Sequence, residues 1–231
     1  MATTALNSDI DILIPSLMRQ LIQVWGDFDS SLNRVPIIDK LNRGKFRQED
    51  YQLLLLNLRQ QVVEGACWIS RAASNISEAY FELRSLFIQH AATEHRDFKM
   101  LEENYVSVGG SLSSIQSQSK NIGSEAFSAY MYHQASRENP FHLLGAMFII
   151  EGLGNRKALE WGEKIKEQLE LQPEQVSFLL YHGENDESHM EQFDEALRSG
   201  FLTADYVSQI VKTAKVTARL YRLQLEELGN Y

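Results

Sequence analysis

The stretch LLYHGENDESHMEQFDEAL, residues 179–197, carries three side chains of metal-binding type at regular helical spacing. His182, Asp186 and His189 occupy positions i, i+4 and i+7, which places them within about 60° of one another on one face of an α-helix. One phenylalanine precedes this set by a turn and another follows it by a turn, so the face is apolar at both ends. The stretch therefore predicts a helix that directs two imidazoles and one carboxylate into a core. The alternative is an ordinary polar face, because the same helix is rich in glutamate.

The rest of the chain repeats this helical pattern. It contains only 4 prolines, each where a helix could begin, and it lacks the sustained alternation of Val, Ile and Thr that marks strands. The Ser- and Gly-rich stretch 109–123 is the one long loop that the pattern indicates. The sequence predicts an all-α chain whose helices span roughly residues 15–28, 36–43, 48–73, 77–106, 124–137, 140–169, 173–198 and 203–228.

Length and composition narrow the class of protein. With 231 residues, of which 44% are hydrophobic, the chain can bury one sizeable core, so we expect a single domain over residues 1–231. The formal net charge of -9 repels phosphate backbones and anionic lipids, so we expect neither nucleic acid nor a membrane as a partner. The sequence is also compatible with a homodimer. The lone Cys67 cannot form an internal disulfide, and no secretion signal or apolar run of about 20 residues is evident, so a cytoplasmic location is expected.

A second anomaly is a carboxylate at the end of an apolar run. The segment LLGAMFIIE, residues 143–151, ends in Glu151 and has no basic residue before it. A carboxylate carried into a core costs several kcal/mol unless it is paired or binds a metal. Arg156 and Lys157 could pair with it instead. Glycines 145, 152 and 154 thin this helix, and the short connection that follows predicts that it packs antiparallel against the His182 helix through that glycine surface.

Two more segments carry candidate ligands. In QHAATEHRDFKM, residues 89–100, we prefer His95 over His90 and Glu94, and the alternative is a solvent-facing histidine. In RQQVVEGACW, residues 59–68, Glu64 is a further candidate, and the alternative is a solvated face. Imidazole and carboxylate without thiolate suit Fe, Mn or Zn.

The order and spacing of these residues resemble those of the haem-oxygenase-like di-metal oxidases, a group that includes CADD-like proteins and is related to the TenA and PqqC families. The resemblance rests on His182-x3-Asp186-x2-His189, on Glu151 about thirty residues earlier, and on His95 about fifty-five residues before that. It covers residues 90–195. It implies a haem-oxygenase-like bundle of seven to eight helices. It also implies a di-iron (or Fe/Mn) non-haem oxidase or oxygenase, an iron-dependent oxidoreductase that uses O2 on a small-molecule substrate.

One departure from that family concerns a carboxylate. Its members usually carry another Glu on the helix of the ligand histidine, three to ten residues before it, where this chain has Ser85, Ile88 and Ala92. The implied ligand set therefore comprises His95, Glu151, His182, Asp186 and His189, with Glu64 as the substitute carboxylate. We expect the two Fe ions to be bound with unequal occupancy, with Mn as an alternative in one position.

The same residues are compatible with other functions. A metal-free TenA/PqqC-like protein would use the same His, Glu and Asp side chains as a hydrogen-bond network around an organic ligand. Nucleophilic catalysis by Cys67 lacks a neighbouring histidine on its own helix, and haem binding lacks a histidine before His90. A structural or regulatory interaction protein has no positive sequence feature in its favour. The substrate, the electron donor and the catalytic residues do not follow from the sequence.

Overall fold

The computed structural model describes residues 2–185 and 187–229, apart from the side chains of residues 2–9 and 184–191. Within that part the chain is all-α and contains no strand, which confirms the predicted fold class. The helices are α1 Ala2–Leu32, α2 Pro36–Asn42, α3 Gln48–Ser74, α4 Phe81–Glu94, α5 Phe98–Ser107, α6 Leu112–Ser117, α7 Ile122–Ala135, α8 Leu144–Leu153, α9 Leu159–Gln168, α10 Ser177–Asn185, α11 Glu187–Arg198 and α12 Ala204–Glu226.

Several predicted helices are interrupted, and two interruptions lie beside the candidate ligands. The helix predicted over 77–106 is broken by a turn at residues 95–97, between α4 and α5. The helix predicted over 140–169 continues from α8 to α9 through a π-helical segment, Gly154–Ala158, three residues after Glu151. Such π segments often mark functional sites, because the extra residue re-aims the side chains around it.

Helix α12 is the centre of the bundle and packs against α1, α7 and α8. Two glycines allow its neighbours to approach closely: Gly123 of α7 lies against the backbone of Gln224, and Gly145 of α8 lies against the backbone of Ile210. Neither position has room for a Cβ atom. Helix α3 packs against α4, α5 and α7 and completes the core on the other side. No helix in the described ranges is long and apolar enough to cross a bilayer.

The predicted antiparallel packing of the Glu151 helix and the His182 helix is confirmed for the α9 half of the long helix. Gly162 lies against Leu179 and Leu180, whereas Gly183 lies against Leu159, so the contacts run in opposite directions along the two helices. The predicted glycine surface was wrong for two of its three glycines, whereas Gly154 begins the π segment that packs against α10. Gly145 faces α12 and Gly152 faces Trp25 of α1, because these glycines make room for other neighbours.

Candidate metal centre

Two carboxylates and one imidazole converge between α4 and α8. His90 and Glu94 are four residues apart on α4 and therefore share a face. The Nε2 atom of His90 lies 3.2 Å from Oε1 of Glu151 on α8. One donor atom from each of the three residues lies within 4.8 Å of the other two. His90 is only 8% exposed, so the cluster is largely shielded from bulk water.

A metal ion fits this donor set. Metal–oxygen and metal–nitrogen bonds measure about 2.0–2.2 Å, so ligands on opposite sides of one ion lie roughly 4 Å apart and adjacent ligands roughly 3 Å apart. The 3.2 Å separation of His90 and Glu151 suits adjacent positions, and the 4.8 Å limit is only slightly wider than opposite ones. Two shielded carboxylates also repel each other, and a cation between them would remove that repulsion.

A second histidine–carboxylate pair lies beside the first cluster. Nε2 of His182 on α10 is 3.4 Å from Oδ2 of Asp97, the last residue of the turn between α4 and α5. The two side chains are 13% and 11% exposed. The ring of Phe178 packs against the imidazole with centroids 4.4 Å apart and limits its rotation. The pair and the cluster border one cavity, because Glu94, Glu151 and His182 all line it.

Two cavities meet at Glu151. The first has an empty volume of about 430 Å³ including its mouth, and His90 and Glu151 are the ionisable groups among its described lining residues. Its other walls are mainly apolar and include Leu86, Phe87, Leu144, Met147, Phe148 and Phe193. The second has an empty volume of about 620 Å³ and contains the Tyr221 ring beside the ligand candidates. Burial raises the pKa of the Tyr221 phenol, so this side chain stays protonated.

The structure brings together only part of the predicted ligand set. Glu151 and His182 line the same cavity, as the sequence predicted. Asp186 lies outside the described residues. His189 belongs to α11, but its side chain is likewise outside the description. The ligand roles of these two residues therefore stay predictions.

His95 and Glu64 are placed elsewhere, contrary to their predicted positions. His95 is exposed and lines a surface groove with Cys67, because it stands one residue beyond Glu94 and so points away from the cluster. Glu64 accepts hydrogen bonds from Lys120 Nζ at 2.5 Å and from Ser128 Oγ at 2.6 Å. Its charge is already compensated on the α7 side of α3, so it is not a substitute ligand in this arrangement.

The sequence did not favour His90 and Glu94 over His95, and it did not indicate Asp97 at all. The signal was present, because His90-x3-Glu94 has the same one-turn spacing as His182-x3-Asp186. The carboxylate sought at Ile88 or Ala92 was sought on the wrong face, since Ile88 is 55% exposed. Asp97 carried no periodic signal, because it lies in the turn that ends the helical register of α4.

The sequence and the fold were compared with known proteins. Residues 99–222, which are 124 of the 231 residues, match the family described as iron-containing redox enzyme. No curated protein sequence matches. A Shewanella denitrificans domain of unknown function with a heme oxygenase-like fold is 20% identical, with a TM-score of 0.84 over 93% of this chain and 92% of that one.

Two TenA homologues also share the fold. The protein from Pseudomonas syringae is 13% identical, with a TM-score of 0.75 over 93% of each chain. The protein from P. horikoshii is 13% identical, with a TM-score of 0.65 over 94% of this chain and 98% of that one.

The chain thus has the haem-oxygenase-like helical fold, which confirms the resemblance inferred from its motif. It belongs to the iron-containing redox enzyme family. The matched residues include Glu151. Asp97 lies just before the matched segment, and His90 and Glu94 precede it by at least five residues.

Proposed function

We propose that this protein binds iron at the His90–Glu94–Glu151 cluster and at an adjacent position beside His182 and Asp97. In this proposal it uses O2 to oxidise a small, largely apolar organic molecule. The observation that carries the proposal is the convergence of two carboxylates and an imidazole within 4.8 Å, at the wall of an apolar cavity. Family membership supports iron as the metal.

The second ion is proposed from the His182–Asp97 pair, with the predicted ligands Asp186 and His189 completing its set. Two ions about 3.5–4 Å apart would together engage the ligands that line the shared cavity. Manganese in one of the positions is compatible with the same donors. Iron held in this way supplies the one-electron steps that O2 chemistry requires and that side chains alone do not provide.

The side chains around the centre have separate tasks. Glu94 and Glu151 balance the charge of the metal, and His90 and His182 bind through neutral nitrogen atoms. Phe87, with the other apolar residues of the first cavity, would hold a hydrocarbon part of the substrate and keep water from the reacting atoms.

A metal-free binding protein is the second candidate function. The pairs His90–Glu151 and His182–Asp97 also satisfy the geometry of a hydrogen-bond network around an organic ligand, and two structural neighbours are TenA homologues. In that case the same cavities would hold the ligand without any change in oxidation state.

Anaerobic loading with Fe(II) followed by addition of O2 separates the two functions. The proposal predicts up to two equivalents of bound iron and consumption of O2 that is faster than that of free Fe(II). It also predicts that an apolar probe acid that fits the first cavity accelerates this O2 consumption. Ala196→Trp, which narrows this cavity, should abolish that acceleration without removing iron. If the protein binds no iron and does not accelerate O2 consumption, the result would support the metal-free function instead.

A further inference from the structure

A pocket remote from the metal centre combines a buried histidine with two cations. It lies between α7 and α12, beside the 3₁₀ turn Phe141–Leu143 that leads into α8. Its described lining residues have none in common with the two cavities at Glu151. The empty volume is about 670 Å³ including the mouth, which exceeds the space needed for an inorganic ion.

His142 forms the floor of this pocket. The side chain is 3% exposed, and its Nε2 atom has no hydrogen-bond partner among the residues that the structure describes. Burial, together with the nearby Arg137 guanidinium, lowers the pKa of His142 to about 4, so the imidazole is neutral near pH 7. A buried polar nitrogen without a partner is costly, and a bound group that hydrogen-bonds to it would remove that cost.

The mouth of the pocket is positive. Arg137 follows the end of α7, Lys212 projects from α12, and both side chains are exposed. Among the described residues, no carboxylate lines the pocket and neither cation forms a salt bridge, although Arg137 donates a hydrogen bond to Oε1 of Gln134 at 3.4 Å. Two acids lie outside the lining: Glu138 follows Arg137 in the chain, and Asp205 accepts a hydrogen bond from Gln209. This arrangement is unusual in a chain whose formal net charge is -9.

We propose that this pocket binds a small organic anion, whose oxyanion group lies between Arg137 and Lys212 and whose body reaches Nε2 of His142. Arginine and lysine together recognise carboxylate and phosphate oxygens through charge-assisted hydrogen bonds. The hydroxyls of Tyr130 and Thr213 lie along the wall and interact with each other, and the Tyr130 hydroxyl can donate one further neutral hydrogen bond. The shared chemistry is an oxyanion on a small polar body, either a phosphate monoester or a carboxylate.

The test titrates two probes, glycerol 3-phosphate and succinate, into the metal-free full chain. Calorimetry measures affinity, and NMR of the histidine side chains reports on His142. We expect saturable binding of at least one probe and a shift of the His142 signals. Arg137→Gln and Lys212→Gln should each weaken binding by about tenfold or more, because each removes a charge-assisted hydrogen bond. The probe that binds identifies the oxyanion class.

Lys215→Gln is the matched control, because Lys215 is also exposed on α12 but does not line the pocket. It should leave the affinity unchanged. The proposal is overturned if neither probe saturates, or if Lys215→Gln weakens binding as much as Lys212→Gln. It is also overturned if binding leaves the His142 signals unmoved. All three substitutions lie on the surface, so folding is not at risk.

Discussion

Replacing Gly183 by alanine should separate α10 from α9 and displace His182. A Cβ atom at this position would lie 2.8 Å from the backbone N and 2.9 Å from the Cα of Leu159. The Cβ of Leu159 would be closer still, and ordinary contact begins at 3.4 Å, so the two helices must move apart by at least about 0.6 Å. The positions of all three Leu159 atoms are fixed by the backbone, so no rotation of a side chain relieves the clash.

The change in the free energy of unfolding is the sum of two opposing contributions. Overpacking of this kind costs about 1–3 kcal/mol, whereas alanine in a helix regains about 1 kcal/mol relative to glycine. Gly183→Ala should therefore lower the free energy of unfolding by up to about 2 kcal/mol, and should leave it about 1–3 kcal/mol below that of an alanine placed in an open helical position. Ligand positions must hold to about 0.2 Å, so the displacement should also weaken iron binding beside His182.

Urea unfolding of the metal-free protein, followed by iron analysis, measures both effects. Gly65→Ala is the matched control, because a Cβ atom added at Gly65 on α3 meets nothing within 4 Å. The control should raise the free energy of unfolding by up to about 1 kcal/mol and leave iron binding unchanged. If Gly183→Ala were as stable as Gly65→Ala, the close contact between α9 and α10 would be refuted.

Two further predictions concern stability. The pKa of His142 falls from 6.5 unfolded to about 4 folded, so the unfolded chain takes up the extra proton as the pH drops from 6.5 to 4. Wild type should lose up to about 3 kcal/mol of stability across that window, and chemical unfolding should show a smaller loss for His142→Asn. Arg59 and Glu102 form a largely buried ion pair at 2.9 Å, so Glu102→Ala should cost about 3–5 kcal/mol. Glu226→Ala, which breaks an exposed pair, should cost less than about 1 kcal/mol, and similar losses for both variants would contradict this reasoning.

The helical fold follows from the sequence to a large extent, because proline placement and 3.6-residue periodicity are local properties. Thus α3 was predicted at 48–73 and ends at Ser74. The interruptions did not follow from the sequence. The turn at 95–97 contains no proline or glycine, and a single glycine at Gly154 does not distinguish a π-helical segment from an α-helix, so neither interruption has a local signal. Helix α1 begins at Ala2 and carries Pro15 inside it, so the proline did not mark its start.

The site was predictable where a residue contradicted its local surroundings. Glu151 interrupts an apolar run, and this anomaly correctly indicated a shielded carboxylate. The choice between His90 and His95 depended on the rotation of α4 about its own axis, which α3 and α8 determine through tertiary packing. Glu64 was misjudged for a similar reason, since its partner Lys120 is 56 residues away in the sequence.

Iron stoichiometry in two single-site variants tests the central claim most directly. The structure places Glu94 in the cluster and pairs Glu64 with Lys120, whereas the sequence alone predicts that Glu64 is the ligand and that Glu94 is dispensable. Glu94→Gln should lower the affinity for at least one iron ion by about 100-fold. After anaerobic loading with Fe(II) and desalting, this variant should therefore retain less iron than wild type. Glu64→Gln should retain as much iron as wild type. Loss of iron from Glu64→Gln with full retention by Glu94→Gln would contradict the assignment, and the absence of bound iron in wild type would contradict the metal centre itself.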